Sequence, residues 1–270
     1  MKSLKKFSTS TRLLCLMPCV FFLISCSSKD PILPGERHSV FNTNRMTILD
    51  KPVPDSALGE IRQPPAQTAK YRQDSNNVIW RISDAGEIRI FSGFPTAAHI
   101  AGDRHPTLTD RYLFAGLSTG EVVKIDRNAE EVAWVADIFR ASAMTGGSTI
   151  LDIVAPIVVD GNRFVYAGGL GNAFCRLNFK TGARMWCTGI GVGVPFISRT
   201  GVSYVVATDN HLYAIDNRNG NVFWRTELRA QARPELRRTA AGNPIILVGN
   251  ERVDALTGEI RDRRALGDLR

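Results

Sequence analysis

Residues 213–224 read YAIDNRNGNVFW: an apolar run, Asp216, four turn-forming residues ending in Gly220, and a second apolar run closed by Trp224. YAID and NVFW are short and β-rich, and NRNG between them carries turn chemistry. Asp216 is placed to accept backbone N–H groups across the turn, and Gly220 to take the positive φ that closes it. One copy predicts a β-hairpin, but the chain holds four. VKIDRNAEEVAW (123–134), CRLNFKTGARMW (175–186) and ERVDALTGEIRD (251–262) align on the same turn. The Asp column is Asp126, Asn178, Asp216 and Asp254. The Gly column is Glu130, Gly182, Gly220 and Gly258, and the Trp column is Trp134, Trp186, Trp224 and finally Asp262.

Upstream columns align as well. Each hairpin follows an apolar strand and a tight turn, at Thr119–Gly120, Gly171–Asn172, Asp209–Asn210 and Gly249–Asn250. One further strand precedes each: PTLTD, PIVVDG, PFISRTG and, in the last copy, AAGNP. The unit is therefore four antiparallel strands. Its tryptophans lie 38 positions apart between 186 and 224 and 52 apart between 134 and 186, where an insertion intervenes. Four-stranded units near this spacing are the signature of β-propeller blades rather than of an up-and-down barrel. No helical period follows residue 40, so the expected fold is all-β. About four blades are legible from His105 to Leu266, and GEIRIFSGFPTAAHIAG (86–102) adds a partial fifth. NVIWRIS (77–83) is expected to be a lone outer strand, with its Trp at 80, completing the blade at the other end of the chain and removing two edges. Trp134, Trp186 and Trp224 are expected to pack between neighbouring blades.

The first residues have a different character. Lys2, Lys5, Lys6 and Arg12 precede LLCLMPCVFFLI, an apolar run of twelve, which ends at LISC with Cys26. Residues 1–25 read as a signal peptide. LISC resembles the lipobox of bacterial lipoproteins, in which the Cys thiol is alkylated by diacylglycerol and the new N-terminus is acylated. That places lipid on Cys26, and Ser27 after it implies delivery to the outer membrane, facing the periplasm. Residues 26–76 are polar and Pro-rich and read as a tether, and the propeller is expected over 77–270.

The formal net charge of +8 becomes +4 once the four basic residues of 1–25 are removed, leaving 30 basic against 26 acidic. No basic stripe with interleaved aromatics is present, which argues against nucleic acid. Four His without ligand spacing and no CxxC give no metal motif, and no cofactor is expected. Cys175 and Cys187 flank one hairpin symmetrically and should face each other across two strands. That spacing suits a bridge in an oxidising compartment, although a reduced pair is also compatible.

With these motifs read, the chain resembles the quinoprotein-type repeat propellers, and within them the BamB lipoproteins of the outer-membrane β-barrel assembly machine. The most particular stretch is GGSTILDIVAPIVVDGNRFVYAGG (146–169). The resemblance implies a non-catalytic scaffold that grips the barrel-assembly protein, BamA, through loops of one face. The corresponding candidates are Thr149, Ile150, Leu151 and Asp152. Two departures stand out: the family form has eight blades, and no Arg adjoins Leu151–Asp152. Two other classes stay open. A lipid-anchored periplasmic module for another ligand would show polar loops and a buried insertion. A dehydrogenase using pyrroloquinoline quinone and Ca²⁺ would need adjacent cysteines, a carboxylate base and Ca²⁺ ligands in the central funnel.

Overall fold

The computed structural model describes residues 46–64, 70–96, 106–139 and 150–263, all within one compact unit. Five antiparallel sheets follow one another along the chain. Among the described residues blade 1 has three strands, β1 (Tyr71–Gln73), β2 (Val78–Ser83) and β3 (Gly86–Ser92). The other four have four strands each. Blade 2 is β4 (Thr107–Leu108), β5 (Tyr112–Gly116), β6 (Glu121–Asp126) and β7 (Glu131–Asp137). Blade 3 is β8 (Val158–Asp160), β9 (Phe164–Gly169), β10 (Ala173–Asn178) and β11 (Arg184–Thr188). Blade 4 is β12 (Ile197–Ser198), β13 (Val202–Val206), β14 (His211–Asp216) and β15 (Val222–Glu227). Blade 5 is β16 (Pro234–Arg238), β17 (Pro244–Val248), β18 (Glu251–Asp254) and β19 (Ile260–Arg263). Separate sheets with strands in sequential order make a propeller and not a barrel.

Side chains alternate across a strand, so a middle strand that is apolar throughout feeds two cores. In β5, Leu113 and Ala115 pack toward blade 1 while Phe114 packs toward blade 3. In β13, Val205 packs toward blade 3 while Tyr204 and Val206 pack toward blade 5. Four inter-blade cores result, between blades 1 and 2, 2 and 3, 3 and 4, and 4 and 5. Among the described residues no hydrophobic core joins blade 5 to blade 1.

The structure corrects three expectations. Asn77–Ser83 does not complete blade 5. Val78–Ser83 is the middle strand of blade 1, paired with Tyr71–Gln73 and, through the short Asp84–Ala85 turn, with Gly86–Ser92. Closing that local hairpin costs far less chain entropy than reaching the far end of the chain. Trp80 accordingly lies outside the Trp column. Phe91 occupies the corresponding place, opposite Ile79 and just before the strand irregularity, as Trp134 sits opposite Lys124. In blade 5 the inner strand is PELRR, and AAGNP lies where its hairpin turns toward β17. The charges of Glu235 and Arg237 hide that strand from a pattern search.

The boundary at 77 also moves. Residues 46–64, read as tether, are strapped across the sheets, running from blade 4 to blade 5 and then back to blade 3. Leu49 N donates to Val222 O (2.8 Å) and Val53 N to Leu256 O (2.8 Å), on blades 4 and 5. Gly201 N then donates to Ala57 O (3.0 Å), and Gly161 N to Arg62 O (2.7 Å), on blades 4 and 3. Val53, Ala57, Leu58 and Ile61 are buried along this path. The strap lies on the side carrying the Asp–Gly hairpin turns. The side carrying the turns at Leu117–Gly120 and Leu170–Asn172, here called the loop face, is left for other contacts.

Candidate functional site

The repeat columns are joints between blades. Each acid or amide at the start of the outer hairpin accepts backbone N–H groups across its turn: Asp126 from Asn128, Asn178 from Lys180, Asp216 from Arg218 and Asp254 from Leu256. Gly182, Gly220 and Gly258 take positive φ of 71°, 78° and 78°. A Cβ on any of them would lie 2.6–2.8 Å from the indole of Trp134, Trp186 or Trp224 of the preceding blade. The indole thus covers the hydrogen face of the glycine, and the conformation and the contact both require the missing side chain. Trp134 and Trp224 are buried, and Trp186 is half-buried.

A second donor reinforces two of these joints. The Phe179 carbonyl accepts from Trp134 Nε1 (3.0 Å) and from Lys124 Nζ (2.9 Å). The Asn217 carbonyl accepts from Trp186 Nε1 (2.9 Å) and from Arg176 Nη1 (2.5 Å). At the third joint, between blades 4 and 5, Ala214 replaces the cation, and Tyr204 O–H donates to the Ala255 carbonyl (2.8 Å), leaving Trp224 Nε1 buried without a hydrogen bond. Lys124 Nζ also lies 3.8 Å from the ring centres of both Tyr112 and Phe179. Burial, with a smaller contribution from Arg111, lowers its pKa to about 8. A lone Lys or Arg in a strand otherwise apolar, two residues before the turn acid, was the sequence signal for this cation.

Cys175 and Cys187 pair directly across β10 and β11 and are joined, with Cα atoms 4.1 Å apart. Cys26 and Thr149 lie outside the described residues. The other insertion residues separate into presented and supporting groups. Ile150 is 38% exposed, Leu151 is half-buried against the core between blades 2 and 3, and Asp152 is fully buried with its carbonyl accepting Leu170 N (2.9 Å). Ile153 is buried against Gly116. Ile150 alone of the described trio projects into solvent; Leu151 and Asp152 anchor the loop beneath it. The structure adds Phe94, 79% exposed and overlooked in the sequence because its blade was only partly legible.

The central groove has a cavity of about 710 Å³, lined by inner-strand residues of blades 2–5, including Pro106, Pro156, Pro195 and Pro234. Its charged lining is Arg199, Arg233, Arg237 and Glu235, and Glu235 pairs with Arg237 at 2.7 Å. One carboxylate held by a guanidinium supplies neither the base nor the Ca²⁺ ligands of a quinone site. Among the described residues no three carboxylate, His or Cys groups cluster for a metal ion. The joined cysteines are not adjacent in sequence and lie in an outer hairpin. The described residues of this groove do not supply what pyrroloquinoline quinone with Ca²⁺ requires.

The family model described as outer membrane protein assembly factor BamB matches residues 60–226 and 187–266, more than half of the chain. Among curated proteins, BamB of Moranella endobia (strain PCIT) is 28% identical over 127 residues, 47% of this chain and 32% of that protein. The match thus spans about a third of that relative's length. Among solved structures, BamB from Moraxella catarrhalis shares 12% identity with a TM-score of 0.48, covering 75% of this chain and 60% of that one. The quinohemoprotein alcohol dehydrogenase ADHIIG from Pseudomonas putida HK5 shares 14% identity with a TM-score of 0.54, covering 73% and 40%. That from Comamonas testosteroni shares 14% with a TM-score of 0.53, covering 77% and 43%. At such identities these two dehydrogenases are alike in fold alone.

Proposed function

The chain belongs to the family of the outer membrane protein assembly factor BamB, and from that premise we propose that it is a non-catalytic scaffold in the assembly of outer-membrane β-barrel proteins. Cys26 carries the lipid that holds it to the outer membrane on the periplasmic side. The loop face, opposite the strap, binds the barrel-assembly protein, with Ile150 and the adjoining Thr149 in contact and Leu151 and Asp152 holding the loop in place. The family match across all five sheets carries this reading. The turn role of Asp126, Asp216 and Asp254 supports a non-catalytic assignment, since their carboxylates are committed to backbone N–H groups and, in each case, an Arg.

Co-purification from solubilised envelopes tests it. The wild-type lipoprotein is expected to bring down the barrel-assembly protein, and Ile150→Arg to lose it while keeping the wild-type melting temperature. Cys26→Ser is expected to move the protein from the outer-membrane fraction to the soluble periplasm. Failure of the wild type to recover the barrel-assembly protein would overturn the assignment of partner. A Cys26→Ser protein that stays with the membrane would overturn the anchor.

A further inference from the structure

Phe94 is the most exposed large hydrophobic residue among those described. Single exposed apolar side chains are ordinary on protein surfaces, but the support beneath this one is not. Asn77 is fully buried at a positive φ of 64°, the left-handed turn conformation that Asn172 and Asn210 also adopt and that Asn tolerates better than other non-glycine residues. Its Nδ2 donates to Phe94 O (2.7 Å) and to Ser118 Oγ (2.8 Å), and its Oδ1 accepts Ser118 N (2.8 Å). Thr96 Oγ1 and Ser118 Oγ share a further hydrogen bond (2.7 Å), and Gly93 N donates to Asn77 O (3.0 Å). The side chain and carbonyl of Asn77 fix residues 93–96 onto the β5–β6 turn of blade 2. The phenyl ring is therefore displayed from a rigid base, which removes much of the ordering cost of engaging a partner.

The same turn is flanked on its other side by the insertion loop. Ile153 N donates to Leu117 O (3.2 Å), and the Leu151 Cβ lies 3.2 Å from the Cβ position of Gly120. Phe94 and Ile150 thus stand on either side of one turn. Among the described residues the charge between them is acidic, at Glu121 and Asp137, with Arg184 of blade 3 lining the same groove. Glu121 and Asp137 are direct partners across β6 and β7, and like charges so placed destabilise a sheet. Asp74 opens the neighbouring turn of blade 1 and accepts Asn76 N and Trp80 Nε1. The segments 74–77, 93–96, 117–121, 137–139 and 150–155 that build this rim contain no Lys or Arg. A cationic partner surface complements Glu121 and Asp137.

We propose that Phe94 is the apolar anchor of an acidic docking rim on the loop face, shaped for an apolar socket edged by Lys and Arg side chains on the barrel-assembly protein. The identity of that partner rests on the function proposed above; the anchor and the chemistry of its socket do not. Aromatic anchors in pockets dominate such interfaces, and complementary charge sets register and encounter rate.

Photo-crosslinking in cells separates the two. In the full lipoprotein, Phe94, Ile150 and Arg218 are replaced in turn by p-benzoylphenylalanine, Arg218 reporting the strap side. Adducts with the barrel-assembly protein are expected at 94 and 150 and not at 218, with the 94 adduct mapping to an apolar site edged by basic residues. Glu121→Gln with Asp137→Asn should lower the yield at 94 about tenfold at low salt. Phe94→Ala should abolish co-purification without moving the melting temperature, because its ring lies in solvent. Adducts at 150 without any at 94 overturn the anchor and leave the proposed function standing. An adduct at 94 with a different protein overturns the proposed partner, and the anchor then stands if the mapped site is apolar and basic-edged and falls if it is not. No adduct at either position, or adducts at 218 alone, overturns both.

Discussion

The three joints between blades 2 and 5 and the single joint between blades 1 and 2 solve the same packing problem differently. In the former an indole from one blade lies on a positive-φ glycine of the next. In the latter Phe91 takes the indole's place, and the glycine's place is held by Glu130, still at a positive φ of 55°. Glu130 reaches back to Arg81 of blade 1 at 2.7 Å, where an indole would otherwise leave no room for a side chain. Trp and Gly are thus one device divided between neighbouring blades. Blade 5 shows the same logic from the other side: it receives Trp224 on Gly258, but its own Trp position is Asp262, and no core follows it among the described residues. Loss of one half of the device accompanies loss of the other.

The largest effects should come from removing the indole. Trp134→Ala leaves a cavity between blades 2 and 3 and is expected to cost about 3–5 kcal/mol in urea melts. A cost below about 1 kcal/mol would mean the joint collapses around the gap, and the device would not be what couples the blades. Gly220→Ala should follow at about 2 kcal/mol, combining a strained φ with displacement of the Trp186 ring. If Gly220→Ala proves neutral, the ring moves freely and the contact is incidental.

The sequence was most informative where this device is complete. Four strands per blade, the Asp and Gly turns and the facing cysteines were legible because turn chemistry and strand alternation are local. Blade 1 was misread because Phe91 replaces the expected Trp, and Trp80 drew attention to the wrong strand. Phe91 and Ile79 become visible as a blade joint only in register. The inner strand of blade 5 was misplaced because Glu235 and Arg237 line the central groove, where among the described residues no core packs against them. The strap escaped detection because Val53, Ala57, Leu58 and Ile61 have no period of their own; distant blades bury them. At the candidate site, the insertion was visible as widened spacing, yet which residue projects and which supports is decided by Gly116 and Gly120 on another blade. Phe94 left no motif, since its support comes from Asn77 and Ser118, 41 positions apart.

Lys124 gives the device a pH signature. Its pKa falls to about 8 in the fold, against about 10.4 in an unfolded chain. Below pH 8 the group is protonated in both states and its full desolvation cost is present. Between pH 8 and 10.4 the unfolded chain holds more proton, so stability contributed by this residue rises with pH. Wild type should gain about 1–2 kcal/mol relative to Lys124→Met between pH 8 and 9.5. Parallel pH profiles for the two proteins would show that the carbonyl and the two rings keep the ammonium charged. The corresponding variant in blade 4 is unnecessary, because Ala214 already occupies that position and Tyr204 donates in its place.

The smallest effect should distinguish the two kinds of joint. Glu130→Gly removes a half-exposed ion pair worth about 0–1 kcal/mol and adds chain entropy to the unfolded state by about 0.5–1 kcal/mol. Against this it relieves a left-handed backbone conformation costing about 1–2 kcal/mol. These contributions offset in part, and the net change in a urea melt should stay within about 1.5 kcal/mol. Adding Phe91→Trp should then install an indole over the new glycine, so the double variant should be more stable than the two single changes sum to, by about 0.5–1 kcal/mol. Phe91→Trp with Glu130 retained should be destabilising, since the larger ring meets the Glu130 side chain. A strictly additive cycle would show that blade 1 lacks the geometry of the other joints, and that the ion pair with Arg81 is an independent fastening rather than a substitute for the missing pair.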